Sequence, residues 1–211
     1  METLKALYTK ERFRLHELAY VDTPEGEYLN PVFGQGPYCP QIMFIGEAPG
    51  AEEARLGKPF VGKAGVQLDY LLKVAGIERS CIFITNAVKY RPVCRKPKSC
   101  ANRTPTRDEI AASMELLMAE IILVKPLVIA TLGNVPLLSV MTLACEAKRT
   151  IGEMHGKPYP VKIGERKLTL FPLYHPASVI YNRSLQSVQE SDVRALKSAA
   201  DAFISRRATN E

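Results

Sequence analysis

Ile42-Met43-Phe44-Ile45-Gly46-Glu47-Ala48-Pro49-Gly50 is the stretch of this chain that decides its fold. Its first four residues are apolar, which predicts a short buried strand. The strand has to end within Gly46–Gly50, because Pro49 lacks a backbone N–H and glycine permits conformations that other residues avoid. A carboxylate, Glu47, therefore follows a central strand directly, and this is where open α/β sheets bind their ligands.

The composition indicates a single globular domain over residues 1–211. The chain has 211 residues, of which 46% are hydrophobic, and this is enough to bury a full core. No apolar run approaches the length of a bilayer span and no signal-peptide pattern opens the chain, so we expect a cytoplasmic protein. The formal charge of +6 favours a polyanionic partner. An odd count of five cysteines argues against a disulfide scaffold.

Strand patterns alternate with helical patterns along the chain. Four strands are predicted, at 42–45, 81–88, 127–132 and 168–173. Helices are predicted at 1–20, 51–55, 64–75, 106–124, 135–143 and 186–205. This alternation is typical of a mostly parallel sheet with helices on both faces, here with four strands.

Three of the predicted strands end in polar side chains of different chemistry. Glu47 follows the first strand, Asn86 lies near the end of the second, and His175 follows the fourth. The carboxyl ends of parallel strands share one edge, so we expect these side chains to meet. Asparagine can read a nucleobase edge, histidine can donate to a developing anion, and glutamate can position water. Each residue also has an ordinary structural explanation, as does Phe60, which could either stack on a flat ring or belong to the core.

Five motifs resemble those of the family 4 uracil-DNA glycosylases. They are Gly-Glu-Ala-Pro-Gly-Ala-Glu-Glu (46–53), Gly-Lys-Pro-Phe-Val-Gly-Lys-Ala-Gly (57–65), Thr-Asn-Ala-Val-Lys (85–89), Asn-Arg-Thr-Pro-Thr (102–106) and His-Pro-Ala-Ser (175–178). Five motifs in register are more specific than any lone glycine pattern. The resemblance runs from about residue 15 to the C terminus. It implies a three-layer α/β/α sandwich that flips uracil out of DNA and hydrolyses its N-glycosidic bond, leaving an abasic site for base excision repair.

The resemblance also implies roles for individual residues. Glu47 matches the family's water-handling carboxylate, and His175 matches the donor to uracil O2, so both are expected to be catalytic. Phe60 matches the aromatic residue that stacks on uracil. Asn86 matches the residue that reads the Watson–Crick edge of the base.

Two further positions of the expected substrate pocket, Ala48 and Gly50, differ from other branches of the superfamily. Gly50 stands where one branch has a tyrosine that blocks the thymine methyl group, so thymine exclusion is left to other walls. Ala48 stands where a branch that traps uracil covalently has glutamine. The extra sequence between Pro92 and Asn102 also lacks the nucleophilic histidine of that branch. We therefore expect turnover without a covalent trap.

The cluster ligands of the family are not matched in this chain. Family members hold a [4Fe–4S] cluster on four cysteines. The matching positions carry other residues, namely Lys10, Phe13, Tyr90 and Ser113. We expect a protein without metal or other cofactor, in which an apolar and hydrogen-bonded plug replaces the cluster. The alternative is a relocated metal site using Cys94 and Cys100, although their spacing lacks a zinc-finger signature.

A basic loop is predicted at 91–107, directly after the strand that carries Asn86. It should lie beside the pocket mouth, where the phosphates that flank a flipped nucleotide would run. The expected DNA contacts are Lys89, Arg91, Arg95, Lys96, Lys98, Arg103, Ser178, Val179 and Ile180. Val179 or Ile180 could wedge into the gap that the flipped base leaves in the duplex. The expected partner is uracil-containing DNA, bound by a monomer.

A second class of function stays open. The chain could be a DNA-binding protein on the same fold whose catalysis has decayed, because a fold can outlive its activity. Retention of Glu47, Asn86 and His175 argues against this alternative. A nucleotide-binding enzyme unrelated to repair is not supported, since neither Gly-x-Gly-x-x-Gly nor a P-loop is seen.

Overall fold

The computed structural model of this protein describes residues 3–22, 30–96 and 99–208. Within them the chain forms the helices α1 (Leu4–Asp22), α2 (Ala51–Leu56), α3 (Lys63–Ala75), α4 (Arg107–Val124), α5 (Asn134–Leu143), α6 (Ile151–Met154), α7 (Ser178–Tyr181) and α8 (Leu185–Ala208). It also forms the strands β1 (Ile42–Gly46), β2 (Phe83–Asn86), β3 (Val93–Lys96), β4 (Ser99–Asn102), β5 (Val128–Leu132), β6 (Tyr159–Ile163) and β7 (Arg166–Leu173).

Five of these strands form the central sheet, in the order β2-β1-β5-β7-β6. β1 pairs in parallel with β2 and β5, and β5 pairs in parallel with β7, whereas β6 is antiparallel to β7. The four parallel strands are the four predicted from the sequence, and the predicted fold class is confirmed. The count of four is wrong, because β6 was missed. Its second residue is Pro160, which argues against a strand in sequence but is tolerated at the edge of a sheet.

Two apolar cores lie on the two faces of the sheet. Ile42 and Phe44 of β1 pack on one face, in the core that includes residues of α3 and α8. Met43 and Ile45 pack on the other, in the core that includes residues of α4 and α5. Successive side chains of a strand point to opposite faces, so the unbroken apolar run of β1 supplies both cores. The result is the three-layer arrangement that the resemblance implied.

Several helices and strands differ from the sequence predictions. β2 is shorter than the predicted 81–88, because Arg79–Cys81 forms a short 3-10 helix. α6 and α7 were not predicted, and each spans only four residues. The predicted end of the first helix before Pro24 lies outside the described residues. Among the described helices, none combines the length and apolar character that a membrane span requires.

The predicted basic loop at 91–107 contains a β-hairpin instead of irregular chain. β3 and β4 pair antiparallel, from Val93 opposite Asn102 to Lys96 opposite Ser99. The N–H of Arg103 donates to the carbonyl of Pro92 at 3.1 Å and closes the base of the hairpin. The dense charge and the prolines suggested a loop, whereas cross-strand pairing satisfies the backbone.

Three strands bring their carboxyl ends to one edge of the sheet. Gly46, the last residue of β1, lies in register with Asn86, the last residue of β2. β7 ends at Leu173, two residues before His175. The topology therefore brings together the strand ends from which the sequence predicted a site.

Candidate active site

A cavity of about 430 Å³ lies at this edge of the sheet. Its volume is within the usual range of small-molecule sites. Its lining includes five of the six predicted pocket residues, namely Ala48, Gly50, Phe60, Asn86 and His175. Residues from the loops after three different strands thus meet around one space, as the sequence predicted.

Asn86 and Phe60 approach each other over the end of β1, and Gly46 makes room for both. Asn86 is 2% exposed and Phe60 is 5% exposed. A Cβ atom on Gly46 would lie 2.5 Å from Cζ of Phe60 and would also collide with Oδ1 of Asn86. Only glycine therefore allows the amide and the aromatic ring to lie together at this point of the cavity wall.

Phe60 is held in an uncommon backbone conformation. Its φ of 53° lies in the left-handed region, which residues other than glycine rarely adopt. Arg79 donates to the carbonyl oxygens of Pro59 at 3.1 Å and of Phe60 at 2.9 Å. Gly65 of α3 passes so close to the Phe60 carbonyl that a Cβ atom there would collide with it. The loop geometry that presents the ring is therefore fixed from two sides. No local sequence pattern predicts the positive φ.

Glu53 joins the two loops that carry the cavity wall. Its carboxylate accepts the N–H of Gly50 at 3.1 Å, of Val61 at 3.0 Å and of Gly62 at 2.7 Å. The side chain is buried, at 8% exposure. Sequence reasoning assigned it no role, although a glutamate three residues after the Gly50 N-cap is the spacing of a capping box.

His175 is a neutral hydrogen-bond donor. Its Nδ1 accepts the N–H of Ala177 at 3.2 Å, so this nitrogen keeps its lone pair and the ring proton lies on Nε2. Burial also lowers the pKa of His175 below the usual histidine value, which favours the uncharged ring. The ring centroids of Phe60 and His175 are 6.5 Å apart. The site thus combines a flat apolar surface with a neutral N–H donor.

Gln189 of α8 anchors the loop that carries His175. Its Nε2 donates to the main-chain carbonyl of His175 and to the hydroxyl of Ser178, each at 2.9 Å. Gln189 is 3% exposed. Ser178, predicted as a DNA contact, thus has its hydroxyl oxygen engaged inside the protein. Nothing in the local sequence indicated this long-range contact.

Glu47 lies beside the cavity, between Gly46 and Ala48, but its side chain is not part of the lining. It is half-buried, and burial raises the pKa of its carboxyl group. A hydrogen bond with Thr104 opposes this shift. Its carbonyl accepts the N–H of Val88 at 3.0 Å, which ties the turn to the end of β2. Thr104 is a further partner in this site that the sequence reasoning missed.

Two exposed apolar side chains stand at the mouth of the cavity. Ile180 is 57% exposed and Tyr181 is 90% exposed, and both belong to the cavity lining. Val179 is less exposed and is not part of the lining. Of the two predicted wedge residues, Ile180 therefore has the better position, and Tyr181 is a candidate that the sequence reasoning did not include.

Lys89 does not fit its predicted role as a DNA contact. Its side chain is 1% exposed and forms a 2.6 Å ion pair with Glu120, which is fully buried. It also donates to Thr85 at 2.8 Å and to the main-chain carbonyl of Asn86. The prediction is wrong because this lysine is buried and paired, which is rare for lysine.

Arg91 and Arg103, two of the predicted DNA contacts, lie at the base of the hairpin. Arg91 donates from Nε to Oδ1 of Asn102 at 2.6 Å, and Asn102 lines the cavity. Arg103 forms two hydrogen bonds with the carboxylate of Glu109, at 2.6 and 2.7 Å, and lowers the pKa of that group. Arg91 is therefore close to the cavity, whereas the guanidinium group of Arg103 is engaged in an ion pair with Glu109.

The remaining predicted DNA contacts, Arg95, Lys96 and Lys98, are here called the basic triplet. Arg95 and Lys96 belong to β3, and their side chains are not described. Lys98 lies outside the described residues. The hairpin that carries Arg95 and Lys96 ends at Asn102 on the cavity wall, so its strands extend from the rim of the site.

The residues at the four cluster positions do not fit a [4Fe–4S] cluster. Such clusters are held by thiolates, and these positions carry lysine, phenylalanine, tyrosine and serine. The hydroxyl of Ser113 donates to the Glu109 carbonyl at 2.9 Å. Phe13 is 69% exposed, so the apolar part of the predicted plug is wrong. A hydrogen-bonded link exists instead, in which Arg14 pairs with Glu11 and donates to the Ala112 carbonyl at 3.2 Å.

The alternative of a relocated metal site gains no support. Within the part of the chain that the structure describes, no group of three or more His, Cys, Asp or Glu residues could hold a metal ion. Cys94 is exposed and free. The side chain of Cys100 is not described.

Comparison with known proteins identifies relatives of this chain. A family model described as Uracil DNA glycosylase superfamily matches residues 33–198. The chain is 39% identical to the type-4 uracil-DNA glycosylase of Sulfurisphaera tokodaii, covering 81% of this chain and 75% of that protein. It is 41% identical to the type-4 enzyme of Saccharolobus solfataricus, covering 81% and 76%. Identity to the type-5 uracil-DNA glycosylase of Pyrobaculum aerophilum is 27%, covering 82% and 76%. The resemblance inferred from the motifs is confirmed.

Proposed function

Since this chain belongs to the uracil-DNA glycosylase superfamily, we propose that it removes uracil from DNA by hydrolysing the N-glycosidic bond. The observation that carries the proposal is the cavity in which Phe60, Asn86 and His175 meet. These side chains supply a stacking surface, an amide that can read a base edge and a neutral donor. The products are free uracil and an abasic site in the DNA.

The cavity binds the base after it has left the duplex. Flipping a base costs stacking and pairing energy of a few kcal/mol, and the contacts of the base in the pocket have to offset this cost. Phe60 stacks on the uracil ring, and its buried, constrained backbone keeps the ring in place without the base. Asn86 offers an acceptor and two donors to the Watson–Crick edge. Cytosine presents a different pattern there, so it is rejected.

His175 stabilises the leaving group. Bond cleavage leaves negative charge on the uracil ring and positive charge on the sugar. The Nε2–H of the neutral imidazole donates to uracil O2 as the charge develops, as donors of an oxyanion hole do. Because Nδ1 is already bonded to the Ala177 N–H, the donor is ready before the substrate binds.

Glu47 acts on the sugar side of the bond. As a carboxylate it stabilises the positive charge near C1′ and positions the attacking water. It must be ionised to do so, and the bond with Thr104 favours the ionised form against the effect of burial. Its place beside the lining suits a group that acts on the sugar and not on the base.

A uracil-release assay on single- and double-stranded oligonucleotides tests this proposal. The wild-type protein should release free uracil from both, and Asn86→Asp should lose release or change its base preference while still binding DNA. Leu196→Ala, in the core away from the cavity lining, serves as a folding control. A wild-type protein that binds DNA but releases no base would support the catalytically decayed DNA-binding protein instead.

DNA binding follows from the same proposal. The basic triplet contacts phosphates, and Ile180 or Tyr181 enters the duplex where the base has left. The mass of the complex on a DNA duplex tests the expected monomer. The cytoplasmic location stays a prediction, which fractionation of the source cells tests.

A further inference from the structure

A buried polar network lies behind Asn86, the residue that reads the base. Lys89 and Glu120 form its centre and are 1% and 0% exposed. The ammonium group of Lys89 donates to Oε2 of Glu120 at 2.6 Å and to the hydroxyl of Thr85 at 2.8 Å. Its third bond goes to the main-chain carbonyl of Asn86. All three ammonium hydrogens are therefore used, and one of them holds Asn86 itself.

Glu120 connects this lysine to two other parts of the fold. Its carboxylate accepts the hydroxyl of Thr85 at 3.0 and 3.2 Å, and the phenol of Tyr8 at 2.7 Å. Glu120 belongs to α4 and Tyr8 to α1, so the network fastens the end of β2 to both helices. Burial and the Glu120 charge raise the pKa of Tyr8 far above its usual value, so the phenol remains a donor.

The segment after Asn86 also forms hydrogen bonds with the turn that carries Glu47. The N–H of Ala87 donates to the Gly46 carbonyl at 2.8 Å, and the N–H of Val88 donates to the Glu47 carbonyl at 3.0 Å. Lys89 closes this short segment by reaching back to Asn86. The network thus determines the position of β2's last residue relative to the turn that carries Glu47.

A gain in stability does not explain why the ion pair of Lys89 and Glu120 is buried. Taking both charges out of water is costly, and replacing a buried ion pair by apolar residues of similar volume is often neutral or stabilising. Burial lowers the pKa of Lys89, which reports that cost, while the Glu120 charge opposes the shift. Buried polar groups specify one geometry when every hydrogen bond is made.

We propose that Lys89 and Glu120 are positioning residues that fix the orientation of Asn86 for reading uracil. The inference rests on the proposed glycosylase function. It explains why Thr85 and Lys89 flank Asn86 in one short motif, since both belong to the network. It also gives α1 a part in the reaction through Tyr8, although α1 does not line the cavity.

The test uses a variant that removes both charges together. Lys89→Met alone leaves Glu120 buried and unpaired, and we expect it to be strongly destabilised. Lys89→Met with Glu120→Leu leaves no unpaired charge, but the hydroxyls of Thr85 and Tyr8 lose their acceptor. We therefore expect a melting temperature below that of the wild type and above that of Lys89→Met. Tyr8→Phe is the mild variant, since it removes one hydroxyl group. Leu196→Ala is the matched control for lost stability, because it lies in the core on the other face of the sheet.

Single-turnover uracil release at saturating protein is the first readout. The double variant should be slower by about 10- to 100-fold, because a small misplacement of a binding group is costly. Its affinity for DNA with a tetrahydrofuran abasic-site analogue should be unchanged, since no base is read there. Leu196→Ala should keep the wild-type rate below its melting temperature. A double variant that is folded at the assay temperature and releases uracil within threefold of the wild-type rate would overturn the proposal.

The side-chain amide signals of Asn86 in ¹H–¹⁵N NMR spectra are the second readout, and they need no activity. They are assigned by their loss in Asn86→Asp. In the double variant they should shift or broaden, and in Leu196→Ala they should not. Unchanged signals in the double variant would refute positioning. An inactive wild type with these NMR changes would refute the proposed function and leave positioning supported.

Discussion

Gly46→Ala should close the base-binding cavity from its floor. The added Cβ atom would lie 2.5 Å from Cζ of Phe60, whereas an ordinary carbon–carbon contact is about 3.5 Å. The ring or the strand therefore has to move by about 1 Å. Phe60 and Asn86 are otherwise buried, and the free space beside them is the cavity itself, so a displaced ring would occupy the space that the base needs.

Two magnitudes follow from this displacement. Overpacking of a buried site costs about 1–3 kcal/mol of folding free energy. A misplacement of about 1 Å can reduce a reaction rate by about 100-fold. We therefore expect a folded protein that releases uracil at least about 100-fold more slowly in single-turnover assays, with unchanged affinity for abasic-site DNA.

Gly152→Ala is the matched control for this experiment. Gly152 lies in α6, and the atom nearest to a Cβ there would be the Tyr174 hydroxyl at 4.0 Å. The same chemical change should therefore leave the rate as it is. If Gly46→Ala released uracil within threefold of the wild-type rate, the close approach of Asn86 and Phe60 over Gly46 would have no part in base binding.

Three further predictions concern the donor, the carboxylate and the hairpin. His175→Ala should slow single-turnover release by about 10²–10³-fold, the cost of losing one anion-stabilising donor; a loss below threefold would contradict its role. Thr104→Val removes a bond that favours ionised Glu47, so the pKa of Glu47 should rise further and the acid limb of the pH–rate profile should move to higher pH; an unmoved limb would exclude Glu47 as the titrating group. Neutralising the basic triplet should weaken DNA binding equally for all sequences and flatten the slope of log K against log salt by up to about 0.9 per lost contact; unchanged affinity and slope would show that the triplet does not contact DNA.

The layout of the site could be predicted from the sequence because it follows from a small number of local patterns. Strand and helix patterns gave the parallel sheet, and parallel strands necessarily share the edge at which their carboxyl ends lie. Asn86 and His175 therefore met at the cavity as expected, with Glu47 beside it. The motif resemblance then supplied their roles.

The features that could not be predicted depend on contacts between residues distant in sequence, or on a strand pattern that contains a proline. The burial of Lys89 depends on its partner Glu120, which lies 31 residues further along the chain. The positive φ of Phe60 depends on Arg79 and the close approach of Gly65, which no local pattern reports. β6 alternates inward and outward residues, but one outward residue is Pro160, and a proline within a short run argues against a strand.

The position of Phe13 shows a different limit. Its place at a lost cluster ligand suggested an apolar plug, yet the side chain is 69% exposed. The replacement of a cluster cysteine indicates that the ligand is lost. It does not indicate which side chains fill the space of the cluster. Beside these positions, Arg14 of α1 donates to the Ala112 carbonyl of α4.

The most direct test of the central claim is to count uracil released per protein molecule from an excess of oligonucleotide carrying one uracil, with mass spectrometry of both products. We expect many free uracils per protein molecule, an intact strand with one abasic site and no protein–DNA adduct. No free uracil, or a single uracil per molecule with the protein attached to the DNA, would refute uracil hydrolysis with turnover.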